Sequence, residues 1–305
     1  MTGLLPAQVA PDAEWRTLES EHFRVTYGPG LEPLAARAAA VGETTYERLS
    51  RDLARPPRGK VDVLVTDFAD FSNGSATVFP SNRIVLYARP PVDELSLSHF
   101  EDWIELVMIH ELTHVFHTDL TGPVGRAVRG VFGRVPLPWP VFPAIGGPKW
   151  SLEGLATVFE SAYTGAGRVH GSYHEMVVRT AILEDAFESI DRMSGTSPAW
   201  PGQSRVYIYG SKFLDYVART RGPEALAEVV EKTATALVPP SLSFDRIGKR
   251  ALGESFTDLH AEWRRELEAT YRRLADSLRA EGLTSSERVA GAGYLAGFPR
   301  VGPNG

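Results

Sequence analysis

The segment from Val107 to Asp119 reads VMIHELTHVFHTD, and within it His110, Glu111 and His114 spell the pattern HExxH. Two imidazoles four residues apart share one face of a helix, so both can reach one metal ion while the glutamate projects beside them. A catalytic zinc site requires about three protein ligands and one open position, so the pair is incomplete. Completion by a third histidine, as in HExxHxxGxxH, fails here. The continuation VFHTDLTGP puts His117 close after His114 but supplies neither the glycine bend nor the later histidine. A carboxylate on a downstream helix completes the set instead, and WSLEGLATVFES (Trp150 to Ser161) offers Glu153. The chain has no cysteine, so thiolate ligands, disulfides and cysteine nucleophiles are excluded, and any metal is held by nitrogen and oxygen.

Two neutral imidazoles and one carboxylate leave a bound Zn2+ ion formally positive. That charge brings a bound water toward a pKa of ~7 and polarises a carbonyl. Glu111 then stands as general base on the metal-activated water and carries its proton to a leaving amine. The expected chemistry is peptide-bond hydrolysis on a peptide or protein substrate. Other polar residues nearby have two readings each. His117 and Asp119 either orient a ligand from behind or form an ordinary polar helix end. Glu160, seven residues after Glu153, either supports a ligand or lies on the surface. His170 and His174 either line a substrate cleft or are solvated.

The elements that must position these residues follow from periodicity. HFRVTYG (22–28) and KVDVLVTD (60–67) have strand patterns and bracket an Ala-rich helical stretch over 33–53, and RIVLYA (83–88) adds a third strand. RIVLYA is expected at the sheet edge, open to an extended peptide. Helical patterns follow near 99–119, 149–162, 174–188, 204–220, 223–236 and 254–281, the last with Leu259, Trp263, Leu267, Tyr271 and Leu274 as an apolar stripe. A Pro/Gly-rich loop spans Gly133 to Pro148. The fold class is therefore α+β: a loose N-terminus over 1–14, an α/β half over 15–120 ending in the HExxH helix, a helical half over 121–282 carrying Glu153, and a linker over 283–305. MTGLLPAQVAPDAEW reads as a loose terminus or the end of a trimmed leader, without a complete signal peptide. With 32 Lys+Arg against 38 Asp+Glu, the net charge of −6 gives no basic excess for nucleic acid. No apolar run reaches the ~20 residues of a membrane span.

HELTH followed by a helix opening WSLEGLA resembles the gluzincin metallopeptidases. More narrowly, the chain resembles the peptidase-MA-like domains of bacterial envelope proteins that precede a TolB-type β-propeller. EWRTLESEHFRVTYGPGLE, KWSLEGLATVFESAYTGAGR, EMVVRTAILE and WPGQSRVYIYGSKFLDYVARTRG extend that resemblance over most of the sequence. It implies a thermolysin-like zincin fold, zinc on His110, His114 and Glu153, and a periplasmic or extracellular location. It also implies an oxyanion-stabilising tyrosine from a Tyr-x-x-Gly segment, matched by VYIYG with Tyr207 first and Tyr209 as the alternative. GFPRVGPNG at the C-terminus is similar to the opening of a propeller blade, which implies a C-terminal β-propeller partner. The resemblance does not extend to the Gly-Ala-Met-Glu-Asn segment with which aminopeptidases read a substrate amine; SNGSATVFPSN stands before RIVLYA instead. The rival expectation is a catalytically silent, zinc-stabilised binding or scaffolding domain attached to such a propeller.

Overall fold

The computed structural model describes residues 13–53, 55–92, 97, 99–195 and 199–287. Most of the expected loose N-terminus (1–12) and the propeller-like GFPRVGPNG lie outside the described residues.

Five strands form one sheet among the described residues: β1 (Arg16–Glu19), β2 (Phe23–Tyr27), β3 (Val61–Thr66), β4 (Gly74–Thr77) and β5 (Arg83–Tyr87). Their order is β1-β2-β3-β5-β4, with β2, β3 and β5 parallel and the outer strands β1 and β4 antiparallel to their neighbours. Parallel pairing of β2 with β3 requires a crossover, and the helix α1 (Glu32–Asp52) supplies it. Phe23 and Val25 of β2 alternate with exposed or half-buried neighbours, as do Val61 and Val63 of β3, so the buried residues face one core.

RIVLYA is not the edge strand expected from the sequence. It is flanked on both sides, by β3 and by β4. The edge on that side of the sheet is β4, formed from the turn-like GSAT, whose small and polar residues lack the β-branched pattern that marks β3.

The helix carrying HExxH is α2 (Trp103–Asp119). It starts later than position 99 because the Asp102 carboxylate caps it, accepting from the Glu105 amide at 3.1 Å. The helices α3 (Pro123–Phe132), α4 (Lys149–Thr164), α5 (Ser172–Leu183), α6 (Arg205–Arg221), α7 (Ala225–Ala234), α8 (Pro240–Leu252) and α9 (Phe256–Glu281) follow. Two of these, α3 and α8, carried no sequence expectation; each begins with proline in its first turn, where the missing N–H costs no intrahelical bond. The Gly133–Pro148 loop runs irregularly apart from a short 3-10 turn at Pro143–Gly146. Leu259, Trp263 and Tyr271 of α9 are buried, but Leu274 is 40% exposed, so the apolar stripe leaves the core before the helix ends.

One hydrophobic cluster joins the sheet, α1, α2 and the later helices. Within it, α4 and α6 approach closely through Gly154 and Gly210. A Cβ on Gly154 would lie 2.4 Å from the Gly210 carbonyl carbon, and one on Gly210 would lie 2.3 Å from the Trp150 carbonyl oxygen. Only backbone stands in the way on either side, so no rotamer change relieves the clash. Gly154→Ala and Gly210→Ala are therefore each expected to destabilise the fold by about 1–3 kcal/mol through overpacking. Denaturant midpoints measure this, and wild-type midpoints for both variants would contradict so close a crossing.

Candidate metal centre

The inner face of α2 carries His110 and His114, and the first turns of α4 bring Glu153 opposite them. Their Nε2 atoms are 3.1 Å apart, and Glu153 Oε2 stands 3.5 Å from His110 Nε2 and 3.2 Å from His114 Nε2. Four ligands at the ~2.0–2.1 Å bond lengths of tetrahedral zinc are separated by about 3.3–3.4 Å. The three side chains thus already present ligand atoms at the spacing one zinc ion requires, and together they could hold a metal ion.

Electrostatics fit the same picture. Burial disfavours a charged His110, but hydrogen bonds to Glu153 and Glu160 outweigh that and push its pKa up to about 9. Glu153 goes the other way: burial would raise it, while His110 and His114 hold it well below the usual carboxylate range. The excess of carboxylate around His110 thus favours positive charge at this position. Glu111 is buried beside them, and its desolvation raises its pKa against the opposing pull of His110 and His114.

Glu160 is not on the surface. It is completely buried, and its Oε2 lies 2.8 Å from His110 Nδ1. Arg168 grips the same carboxylate in a fork, Nε to Oε1 and Nη2 to Oε2, each at 2.7 Å. Burial works against the charge on Glu160, but Arg168 and His110 outweigh it and hold its pKa at about 2. Arg168 Nη2 also lies 2.9 Å from His110 Nδ1. Because the ionised Glu160 carboxylate can only accept, Nδ1–H donates to it, the Arg168 approach to Nδ1 is a close contact and not a hydrogen bond, and Nε2 is the ring atom that faces Glu153 and His114. Arg168 was not singled out in the sequence: it follows Glu160 by eight residues in a loop, a spacing with no helical or strand meaning.

A cleft of about 590 Å³ opens over this group, lined on one side by Asn73, Gly74 and Ser75 and on the other by Tyr207. Gly74 lies directly against α2, since a Cβ there would stand 2.4 Å from Val107 Cγ2 and 2.6 Å from Glu111 Oε1. The Tyr207 ring centroid is 6.3 Å from that of His110, and the Arg168 guanidinium lies 4.8 Å from the Tyr207 ring centroid. Burial pushes the Tyr207 phenol up to about 12, so it keeps its proton near neutrality. Tyr209 faces away and is fully buried against Phe187 and Trp263.

For His117 and Asp119 the structure decides between the two readings left open by the sequence. His117 is buried with Nδ1 unpartnered, and desolvation lowers its pKa to about 3, so it is a neutral core residue that orients no ligand. Asp119 binds Arg129 at 2.9 Å, Arg134 at 3.0 Å and Asn82 at 3.1 Å, well away from the ligand set. His174 lines the cleft, with Nδ1 3.4 Å from Ser211 Oγ, whereas His170 is exposed outside it.

No family model matches the chain. A protein of Treponema pallidum (strain Nichols), named only as uncharacterized, is 25% identical over 223 residues, covering 70% of this chain and 18% of its own length. Among solved structures, the M1 zinc metallopeptidase from Deinococcus radiodurans aligns with 85% of this chain and 51% of its own at 16% identity, with a TM-score of 0.40. Yeast LTA4 hydrolase in complex with bestatin aligns with 90% of this chain and 40% of its own at 14% identity, with a TM-score of 0.42. The chain thus spans about half the length of these structures or less, and far less of the Treponema protein. Similarity at these TM-scores leaves the reading of the site to its own geometry.

The Glu160 contact yields a direct expectation. Glu160→Gln should weaken zinc binding by about 10–100-fold in a chelator competition, because the amide no longer fixes the His110 tautomer by charge. Undiminished affinity in a variant with wild-type circular dichroism would show that Glu160 does not support the ligand.

Proposed function

We propose that the chain is a zinc-dependent peptidase of the gluzincin type, thermolysin-like in its arrangement, acting on an extended peptide or protein segment. The observation that carries this reading is the convergence of His110, His114 and Glu153 at zinc spacing with Glu111 in the same cleft.

When bound by His110, His114 and Glu153, zinc supplies Lewis acidity that polarises a carbonyl and makes water acidic near neutral pH. The chain's own residues do the rest. Glu111, with proton affinity raised by burial, takes a proton from the attacking water and returns it to the departing amine. Tyr207, which keeps its phenolic proton, donates a hydrogen bond to the carbonyl oxygen as negative charge develops. Glu160 and Arg168 hold His110 in one tautomer throughout. β4 ends the sheet among the described residues and borders the cleft, so its outer backbone groups are the site for an added substrate strand. An envelope location and an attached C-terminal β-propeller belong to this proposal on the strength of the sequence resemblance alone.

Glu111→Gln is expected to retain about one zinc per chain while cleavage of a peptide library falls by about 10²–10⁴-fold. Peptide turnover at the wild-type rate in that variant, with zinc still bound, would remove Glu111 as the base. Tyr207→Phe should lower kcat by about 10²-fold with KM little changed, as expected for a group that acts on the transition state. A rise in KM alone would instead make Tyr207 a substrate-binding residue.

A further inference from the structure

A second cavity, of about 470 Å³, lies at the C-terminal end of α2. Five arginines line it: Arg55 and Arg58 from the segment after α1, Arg126 and Arg129 from α3, and Arg134 just beyond α3. Asp119 is its one lining carboxylate among the described residues. The chain's net charge is −6, so this local excess of positive charge runs against its overall balance.

The five do not have equal roles. Arg129 and Arg134 are fixed by the protein: both bind Asp119, Arg129 donates to the Val141 carbonyl, and Arg134 donates to the Val78 carbonyl and to Asn82. Both also lie over the Phe142 ring, at 4.5 Å and 5.4 Å. Arg55 has a distant partner in Glu231 at 3.6 Å. Arg58 and Arg126 have no carboxylate partner among the described residues, and Arg126 donates only to the Thr121 carbonyl, at 3.1 Å. Positive charge therefore exceeds negative around the cavity. Burial lowers the pKa of Arg129, and Arg134 and Arg58 press it in the same direction, as expected for guanidinium groups crowded on one space. Asp119 and Glu231 offset part of this charge, and an anion in the cavity would offset the excess left by the exposed Arg58 and Arg126.

We propose that this cavity binds a phosphate-bearing ligand, with Arg58 and Arg126 as the forks that grip it and Arg129 and Arg134 as the rigid positive floor. Guanidinium matches a tetrahedral oxyanion through paired N–H donors. The cavity is larger than one phosphate group, and Phe116 and Leu120 give it apolar wall for an attached organic body. That body is either an anionic lipid or a soluble phosphate ester. The lipid source has support alongside: Val131 and Phe132, directly after Gly130 at the cavity rim, are 75% and 70% exposed at the end of α3. This inference does not depend on the peptidase reading.

The test uses the full chain. Inorganic pyrophosphate is titrated while the Nε–Hε resonances of Arg58 and Arg126 are followed, and co-sedimentation is measured with phosphatidylglycerol and with phosphatidylcholine vesicles. Pyrophosphate is expected to shift both resonances, and Arg58→Ala with Arg126→Ala should weaken binding by at least about tenfold, whereas Arg273→Ala on the exposed face of α9 should not. Sedimentation with phosphatidylglycerol alone, reduced both by the arginine pair and by Phe132→Ser, assigns the ligand to a lipid headgroup. Pyrophosphate binding without vesicle binding assigns it to a soluble phosphate compound. Absence of both, or binding that the arginine pair leaves unchanged, overturns the proposal.

Discussion

Charge balance beneath α2 is the constraint to which the rest of the structure answers. Glu111 and Glu160 are buried and Glu153 is half-buried within reach of two imidazoles, and among the described residues lining the cleft Arg168 is the one permanently charged cation set against them. With neutral imidazoles this leaves two negative charges, and desolvated carboxylates are costly unless paired. A divalent cation on His110, His114 and Glu153 balances the group. The raised pKa of His110 reflects the same excess of negative charge. That excess of negative charge is what would give the group affinity for a dication.

That charge group depends on two helices being held at a fixed separation. Glu153 is carried by α4 and Tyr207 by α6, and each is three residues or fewer from the glycine at which the two helices meet. A side chain at either glycine would force the helices apart and move Glu153 relative to α2, because the obstruction is backbone. Trp150, at the start of α4, packs edge-on against Phe213, Phe244 and Phe256, so α4 is held to α6, α8 and α9 by aromatic contacts as well. The ligand geometry is thus a property of helix packing rather than of the HExxH helix alone.

Much of this was legible because the relevant signals are local. His110 and His114 follow from helical spacing, and Glu153 from a carboxylate in a second helical pattern. Tyr207 and Tyr209 point in opposite directions on α6, two residues being a little over half a turn, and only Tyr207 of the two lines the cleft. The glycines of EGLA and VYIYG were part of the resemblance, but their physical reason, backbone against backbone across two helices, appears only in three dimensions. Arg168 was invisible because its value lies wholly in contacts with Glu160, His110 and Tyr207. His117 and Asp119 were ambiguous for a related reason: a polar residue on a largely apolar helix does not reveal whether it meets a ligand, a core or an arginine pair. α3 was hidden by its shortness and by Gly122, Gly125, Gly130 and Gly133 in and around it, which read as loop although its apolar residues keep helical spacing.

The misplacement of the sheet edge has the most instructive cause. RIVLYA has the hydropathy of a strand because β5 is paired on both sides and its Ile84 and Leu86 are buried. Interior pairing produces the very signal by which strands are recognised. An edge strand that remains accessible is under the opposite requirement, since a long apolar edge recruits other chains into unwanted pairing. GSAT meets that requirement by being short and weakly apolar, and Gly74 adds the freedom to lie directly against Glu111. The features that conceal β4 from a pattern-based reading are therefore those that let an open edge lie beside a buried charged site without becoming a site of aggregation.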